Sequence, residues 1–394
     1  MKTSFNRIAP YPYFNRKSLS SNQKRRCSSI PSAIDTGTVY TTMNGRSALE
    51  IGLGSLQLDS EDEVLLPAYH CPVMVYPILK AGCKPTFYKI NTDCSVNLDD
   101  LDHKITKRTK AVIVIHYFGF QSAVSEIRSL CNKHNLYLIE DCAHCFYGFR
   151  NEATVGSFGD FSIVSLWKFF PTCDGGFLKF ENKKLSENVR TIIPNAFFQV
   201  KSAINTLENG SGVGGRKNLR TVFLEFIGQI WKTIKTKEEK NKLPDYVEGQ
   251  RINPYSLSLV SNSYSNEKTP VFSKFIYKMA DKERLVRRRR NNFHILLNEL
   301  KEISGVKPLF DKLPPMVVPY TFPIVSKNAD KLAKNLKSRG VGVLRFGEFL
   351  WEKMDRATCP VSLYYSKQCI QIPIHQSLTF NDMEYIVKIF RKSC

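Results

Sequence analysis

Lys168 stands in "SLWKFFPTCDGG", residues 165–176, among a tryptophan, two phenylalanines and a proline. An ammonium ion buried unpaired in such company is costly, so the lysine either snorkels to water or has a chemical use. Apolar surroundings lower a lysine's pKa and turn its amine into a nucleophile that can form a Schiff base with a carbonyl. Asp141 ends the apolar run of "LYLIEDCAH". A carboxylate in that position can be a metal ligand, a general base, a loop cap or the partner of a cationic heterocycle.

Asp141 followed by Lys168 across "VGSFGDFSIVS" suggests a pyridoxal 5'-phosphate (PLP) site, in which the lysine takes the aldehyde and the aspartate pairs with the protonated ring nitrogen. Such a site needs a phosphate cradle. "MNGRSAL" at the start of a helix offers backbone amides, the Ser47 hydroxyl and a positive helix end. Ser165, three residues before Lys168, offers a further hydroxyl, and the Gly175–Gly176 pair allows a tight turn against a ligand or a neighbouring strand. "CAHC" at 142–145 lacks a fourth ligand at a suitable spacing for zinc, so no metal is assigned.

The elements that must position these residues are legible from residue 45 onward. "GRSALEIGLGSL" reads as a helix start, "EVLLPA" as a strand, "VMVYPILKAG" as a helix and "KPTFYKI" as a strand. "LDDLDHKI" and "AVSEIRSLCNKHN" read as helices, "KAVIVIHYFG" and "LYLIEDCA" as strands. Helices alternating with strands apolar on both faces predict an α/β domain with a largely parallel sheet. In open sheets of this kind ligands bind beyond the carboxyl ends of the strands. That rule brings "HYFG", "EDCAH" and "SLWKFFPTCDGG" to one rim.

Three parts are expected: an N-terminal basic arm over 1–40, a large cofactor-binding α/β domain over 41–275 with a variable excursion at about 196–262, and a small C-terminal α/β domain over 276–394. Within the excursion Phe223, Ile227, Ile230, Trp231 and Ile234 fall on one helical face, read as packing on the fold or on a second subunit. The net charge of +21 concentrates in "KRR" at 24–26, "KTIKTKEEKNK" at 232–242 and "RRRR" at 287–290, read first as solvated faces. No nucleic-acid module accompanies them, and docking on an anionic membrane surface stays open. No run of about 18 uncharged apolar residues is present, and the basic N-terminus lacks the apolar stretch of a secretory signal. With eleven unpatterned cysteines, these features lead us to expect a cytoplasmic protein.

In this order the segments resemble the DegT/DnrJ/StrS family of fold type I PLP-dependent aminotransferases. The resemblance runs from about Gly45 to the C-terminus, through "NGRSAL", "LLPAYHCPVMVYPILKAGCKPTFYKI", "AVIVIHYFG", "LIEDCAH", "GSFGDFSIVSLWKFFPTCDGG", "RRRRNNF" and "IQIPIHQSLTFNDMEYIVKIF". It implies that Lys168 is the Schiff-base lysine and Asp141 the partner of the pyridine nitrogen. His144 would lie near the cofactor's 3-hydroxyl, with Gly45, Arg46, Ser47 and Ser165 near its phosphate. Tyr69 or His70 would lie against the ring, and Arg345 and His375 would border the substrate. It also implies a homodimer that moves an amino group from a donor such as glutamate to a keto acceptor, such as a nucleotide-linked sugar for polysaccharide or antibiotic assembly. Lys168 follows Ser165 by only three residues, a shorter spacing than many sugar aminotransferases have, which marks a divergent branch. The rivals are a pyridoxamine-dependent sugar dehydratase, in which histidine typically replaces the lysine, and a silent binding or regulatory protein of the same fold.

Overall fold

A computed structural model describes residues 8–150, 153–209, 266–352, 354–355 and 359–393. The apolar face at Phe223–Ile234 and the basic stretch at 232–242 lie outside the described residues, as does most of the expected excursion.

The described elements open with β1 (Thr38–Thr42), α1 (Gly45–Gly54), β2 (Glu63–Pro67), α2 (Val75–Lys80), β3 (Lys84–Tyr88), α3 (Leu98–Lys104) and β4 (Thr109–Ile115). They continue through α4 (Val124–Lys133), β5 (Tyr137–Asp141), the short pair β6 (Phe149–Arg150) and β7 (Ala153–Thr154), β8 (Phe161–Ser165) and β9 (Gly176–Phe180). After α5 (Ala196–Glu208) come α6 (Val271–Met279), α7 (Lys282–Leu300), β10 (Lys307–Pro308) and β11 (Thr321–Val325). The chain closes with α8 (Ala329–Ser338), α9 (Pro360–Gln368), β12 (Cys369–Pro373) and α10 (Phe380–Arg391).

Seven strands form the main sheet in the order β1-β9-β8-β5-β4-β2-β3. From β3 to β8 every pairing is parallel, and β9 then runs antiparallel to both β8 and β1. All residues of β2, β8 and β9 are buried, as strands in a sheet covered on both faces must be. The pairing of Ile115 with Asp141, and of Asp141 with Ile163, aligns the carboxyl ends of β4, β5 and β8. Asn44 caps α1, its Oδ1 accepting from the Ser47 N–H at 3.0 Å, and so fixes where that helix begins.

A second sheet, β10-β11-β12, is antiparallel and packs with α7, α8 and α10 around Phe293, Leu296, Phe322, Ile372 and Phe390. The N-terminal arm is woven into both units from Ile8 on. Ile8 donates to Gly340 O and accepts from Gly342 N, both at 2.8 Å, and Ser20 donates to Met279 O at 2.9 Å. Ala33 N–H then reaches Phe146 O at 2.9 Å, which ties the end of the arm to the loop after β5.

The "RRRR" run on α7 departs from a uniformly solvated face. Arg287 is exposed, but Arg288 donates to Leu378 O, Arg290 to Pro314 O at 2.9 Å, and Arg289 is fully buried. Successive helical residues point about 100° apart, so four consecutive arginines cannot share one face.

Candidate active site

A cavity of about 530 Å³ opens at the carboxyl ends of the central strands. β4 contributes Ile115, β5 contributes Asp141, and β8 contributes Ile163 and Ser165, with Lys168 in the loop that follows. Opposite them stand Asn44, Gly45 and Arg46 at the start of α1. Gly176 makes that approach feasible: a Cβ there would lie 2.6 Å from the Asn44 carbonyl carbon and 2.8 Å from Val164 O. Gly175 precedes it at φ +94°, in the left-handed region that glycine alone enters without strain. The glycine pair thus serves the approach of α1 to the β8–β9 hairpin.

Asp141 is buried, and its Oδ1 accepts from the Ala143 N–H at 2.8 Å. Burial pushes its pKa up, while Lys168 opposes that shift. Lys168 shows the converse: burial pulls its pKa below the usual lysine value, and Asp141 raises it again. Its Nζ lies 5.8 Å from the ring centroids of both Trp167 and Tyr320. The result is an amine easier to deprotonate than that of a surface lysine, in the same cavity as a carboxylate whose charge favours its ammonium form.

His144 packs on Tyr320 with ring centroids 4.7 Å apart and meets the edge of Phe346 at 4.8 Å. Burial, and then the neighbouring Lys168 charge, hold its pKa well below the usual histidine value, so the imidazole is neutral. Its Nδ1 is buried without a hydrogen-bond partner among the described residues, and so is the Nε of Arg46. Buried polar atoms of that kind call for a partner. Two such atoms, a deprotonatable lysine, a carboxylate and a helix N-terminus in one cavity are a donor set that fits PLP.

Not every sequence-derived site residue lies in the cavity wall. Lys168, Asp141, His144, Ser165, Gly45, Arg46 and Arg345 do; Ser47, Tyr69, His70 and His375 do not. Ser47 is buried, and the N–H it could have offered an anion is taken by Asn44. Tyr69 is fully buried, stacked on Tyr117 at 5.5 Å with its hydroxyl donating to Phe346 O at 3.0 Å. His70 Nε2 accepts from Trp351 N at 3.3 Å, which leaves the proton on Nδ1 facing Pro67 O and Ala68 O. Burial lowers its pKa to about 4. The next residue, Cys71, reaches the cavity in their place.

His375 is buried outside the cavity wall, with Nε2 3.0 Å from Ala9 O of the N-terminal arm. Arg345 does line the cavity, but its guanidinium is held by Asp330 Oδ1 at 2.5 Å and by the Lys367 carbonyl at 2.6 Å. Sequence reasoning also missed Tyr11, which lines the cavity from the arm and meets Trp167 edge-on at 4.6 Å. Nothing in "APYPYF" separates one tyrosine from the other.

Among the described residues, the metal-donor atoms that cluster are those of His116, Glu140 and Cys142. His116 and Glu140 belong to a closed hydrogen-bond network. His116 Nδ1 accepts from Ser122 N at 3.1 Å, so Nε2 carries the proton and donates to Glu140 Oε2 at 2.9 Å. Glu140 also accepts from the N–H groups of Gly156, Phe158 and Gly159 at 3.1, 2.8 and 2.7 Å. These bonds lower the Glu140 pKa in spite of burial, and they brace the chain directly behind Asp141.

The sheet order, the strand-end cavity and its lysine–aspartate pair define a PLP-dependent aminotransferase fold. A sequence profile of the DegT/DnrJ/EryC1/StrS aminotransferase family matches residues 31–217 and 275–391, and the chain belongs to that PLP-dependent family. It is 36% identical over 139 residues to a GDP-perosamine synthase of Vibrio cholerae, covering 34% of this chain and 38% of that one. It is 24% identical over 374 residues to a dTDP-4-dehydro-2,3,6-trideoxy-D-glucose 4-aminotransferase of Saccharopolyspora spinosa, covering 91% and 85%. Helicobacter pylori PseC, an aminotransferase involved in the biosynthesis of pseudoaminic acid, superposes with a TM-score of 0.67 at 14% identity, covering 98% of both chains. The first three curated relatives are matched over only 38 to 41% of their own length.

Proposed function

We propose that the protein transfers an amino group from an amino-acid donor such as glutamate to the keto group of a nucleotide-linked sugar. One observation carries this reading: Lys168 and Asp141, from the ends of different strands, wall a single cavity together with the start of α1. The sugar-aminotransferase names of the relatives support the acceptor class.

Bound PLP would supply a ring that withdraws electrons from the carbon losing its proton. Lys168 would hold the aldehyde through its amine. Once freed by the donor's amine, it is the base within reach to take the donor's Cα proton and later return one. The lowered Lys168 pKa suits that exchange, because an amine that stays protonated cannot accept a proton. Asp141 would keep a proton on the ring nitrogen, its carboxylate oriented by the Ala143 N–H. His144, neutral and with a free Nδ1, would meet the 3-hydroxyl, and Arg46, Ser165 and the first amides of α1 would meet the phosphate.

Among the described residues no helix is long and apolar enough to cross a membrane. Among the described residues no two cysteines form a disulfide, which supports a reducing compartment, and we place the enzyme in the cytoplasm as a homodimer. The test is a pair of half-reactions. Glutamate should discharge the long-wavelength absorbance that PLP gains on joining a lysine, and a nucleotide-linked keto sugar should restore it. Failure of every amino-acid donor to discharge it would contradict the proposal.

A further inference from the structure

Arg289 has no part in the cavity wall, yet it is a fully buried cation. Among the described residues no carboxylate lies within ion-pair distance of it. Burial brings its pKa down to about 9. A guanidinium with no counter-charge is an expensive way to fill a core, and the partners it does have are specific. Nη2 donates to the backbone oxygen of Lys168 at 2.9 Å, and Nη1 donates to Tyr320 O at 2.8 Å and Pro319 O at 3.3 Å. Nε donates to Gln376 Oε1 at 3.0 Å, and Gln376 Nε2 donates onward to Phe169 O at 2.7 Å. The guanidinium also lies 4.6 Å from the Phe169 ring centroid.

Two consecutive carbonyls of the lysine loop are therefore held, one by Arg289 itself and the other through Gln376. The same fork grips Tyr320, whose ring supports His144. Arg289 thus joins the backbone of Lys168 to that of Tyr320, which also lines the cavity, and only a planar fork with several donors can span those acceptors at once.

We propose that Arg289, with Gln376, is a positioning residue for Lys168: it fixes the lysine's backbone against Tyr320 and so sets where the amine stands relative to Asp141. The inference rests on Lys168 being the lysine that joins PLP. Lysine in place of Arg289 keeps the charge but cannot hold both carbonyls. A displacement of about 1 Å at a reacting group can cost on the order of 100-fold.

The test compares the PLP-loaded wild type with Arg289→Lys, Gln376→Leu and, as a control, the exposed Arg287→Lys. It reads the pH midpoint of the Schiff-base absorbance, the rate of the donor half-reaction and its dependence on donor concentration. Arg289→Lys should shift the midpoint and slow the half-reaction by about 10- to 100-fold, with the half-saturating donor concentration nearly unchanged and Arg287→Lys like wild type. If Arg289→Lys does not fold, Gln376→Leu decides the matter by the same readouts. A folded variant with wild-type midpoint and rate overturns the positioning role alone. Absence of the band from the wild type overturns it together with the assignment of Lys168.

Discussion

Asp141 at the end of β5 and Lys168 in the loop after β8 wall the same cavity, and burial displaces the pKa of each while the charge of the other opposes the shift. The pair is linked in sign: removing one charge moves the other group further in the direction that burial already drives it.

That linkage sets a pH dependence. With its pKa lowered, Lys168 should react as a free amine at lower pH than an ordinary lysine, whose reference value is 10.5. Asp141→Asn removes the anion that favours the ammonium, so the midpoint should fall further. The measurement is the rate at which added PLP develops its Schiff-base band between about pH 6 and 10. A midpoint at the ordinary lysine value, or one raised by Asp141→Asn, would contradict the geometry.

Asp141→Asn should also separate binding from chemistry. Asparagine keeps the shape and can still accept from Ala143, so the band should form. Transamination should drop by roughly 100- to 10,000-fold, the range expected when a positioned proton-holding group is lost. Steady-state kinetics with saturating PLP check this, and an asparagine variant within a few-fold of wild type would remove Asp141 from the chemistry.

Glu140 accepts four hydrogen bonds with no exposure to water. Glu140→Gln would turn an amide NH₂ toward two existing donors, and should cost about 2–4 kcal/mol. Because the folded pKa of Glu140 is depressed, its stabilisation is complete above the unfolded value and is lost as pH falls through the folded one. Thermal melts should show wild type losing stability steeply below about pH 4.5, with a shallower slope in the variant. Equal slopes would show that Glu140 is not the carboxylate responsible.

Gly176→Ala should destabilise by about 1–3 kcal/mol through overpacking, because the backbone of Asn44 and Val164 leaves its Cβ no room. Chemical denaturation measures the loss. The same substitution should weaken PLP binding, since relief of the clash moves the start of α1 away from Ser165.

Much of this was readable in the residues because it rests on local rules. Apolar runs gave β4 and β5, and the rule that ligands gather at strand carboxyl ends brought Asp141 and Lys168 together. What escaped depends on side-chain direction and long-range threading. Tyr69 and His70 lie on the right loop but turn into the core, leaving Cys71 to face the cavity. His375 stands outside the cavity wall, where Ala9 of the N-terminal arm reaches its ring, a contact between opposite ends of the chain. Arg289 was hidden in a run of four arginines, and only the helix rotation shows which of them is buried.

Which lysine joins PLP is decided by reducing the PLP-loaded protein with borohydride, digesting it and locating the modified residue by mass spectrometry. One phosphopyridoxyl group is expected on the peptide carrying Lys168, and none on that peptide in Lys168→Ala. A label on another lysine, or equal labelling of the Lys168→Ala protein, would contradict that expectation.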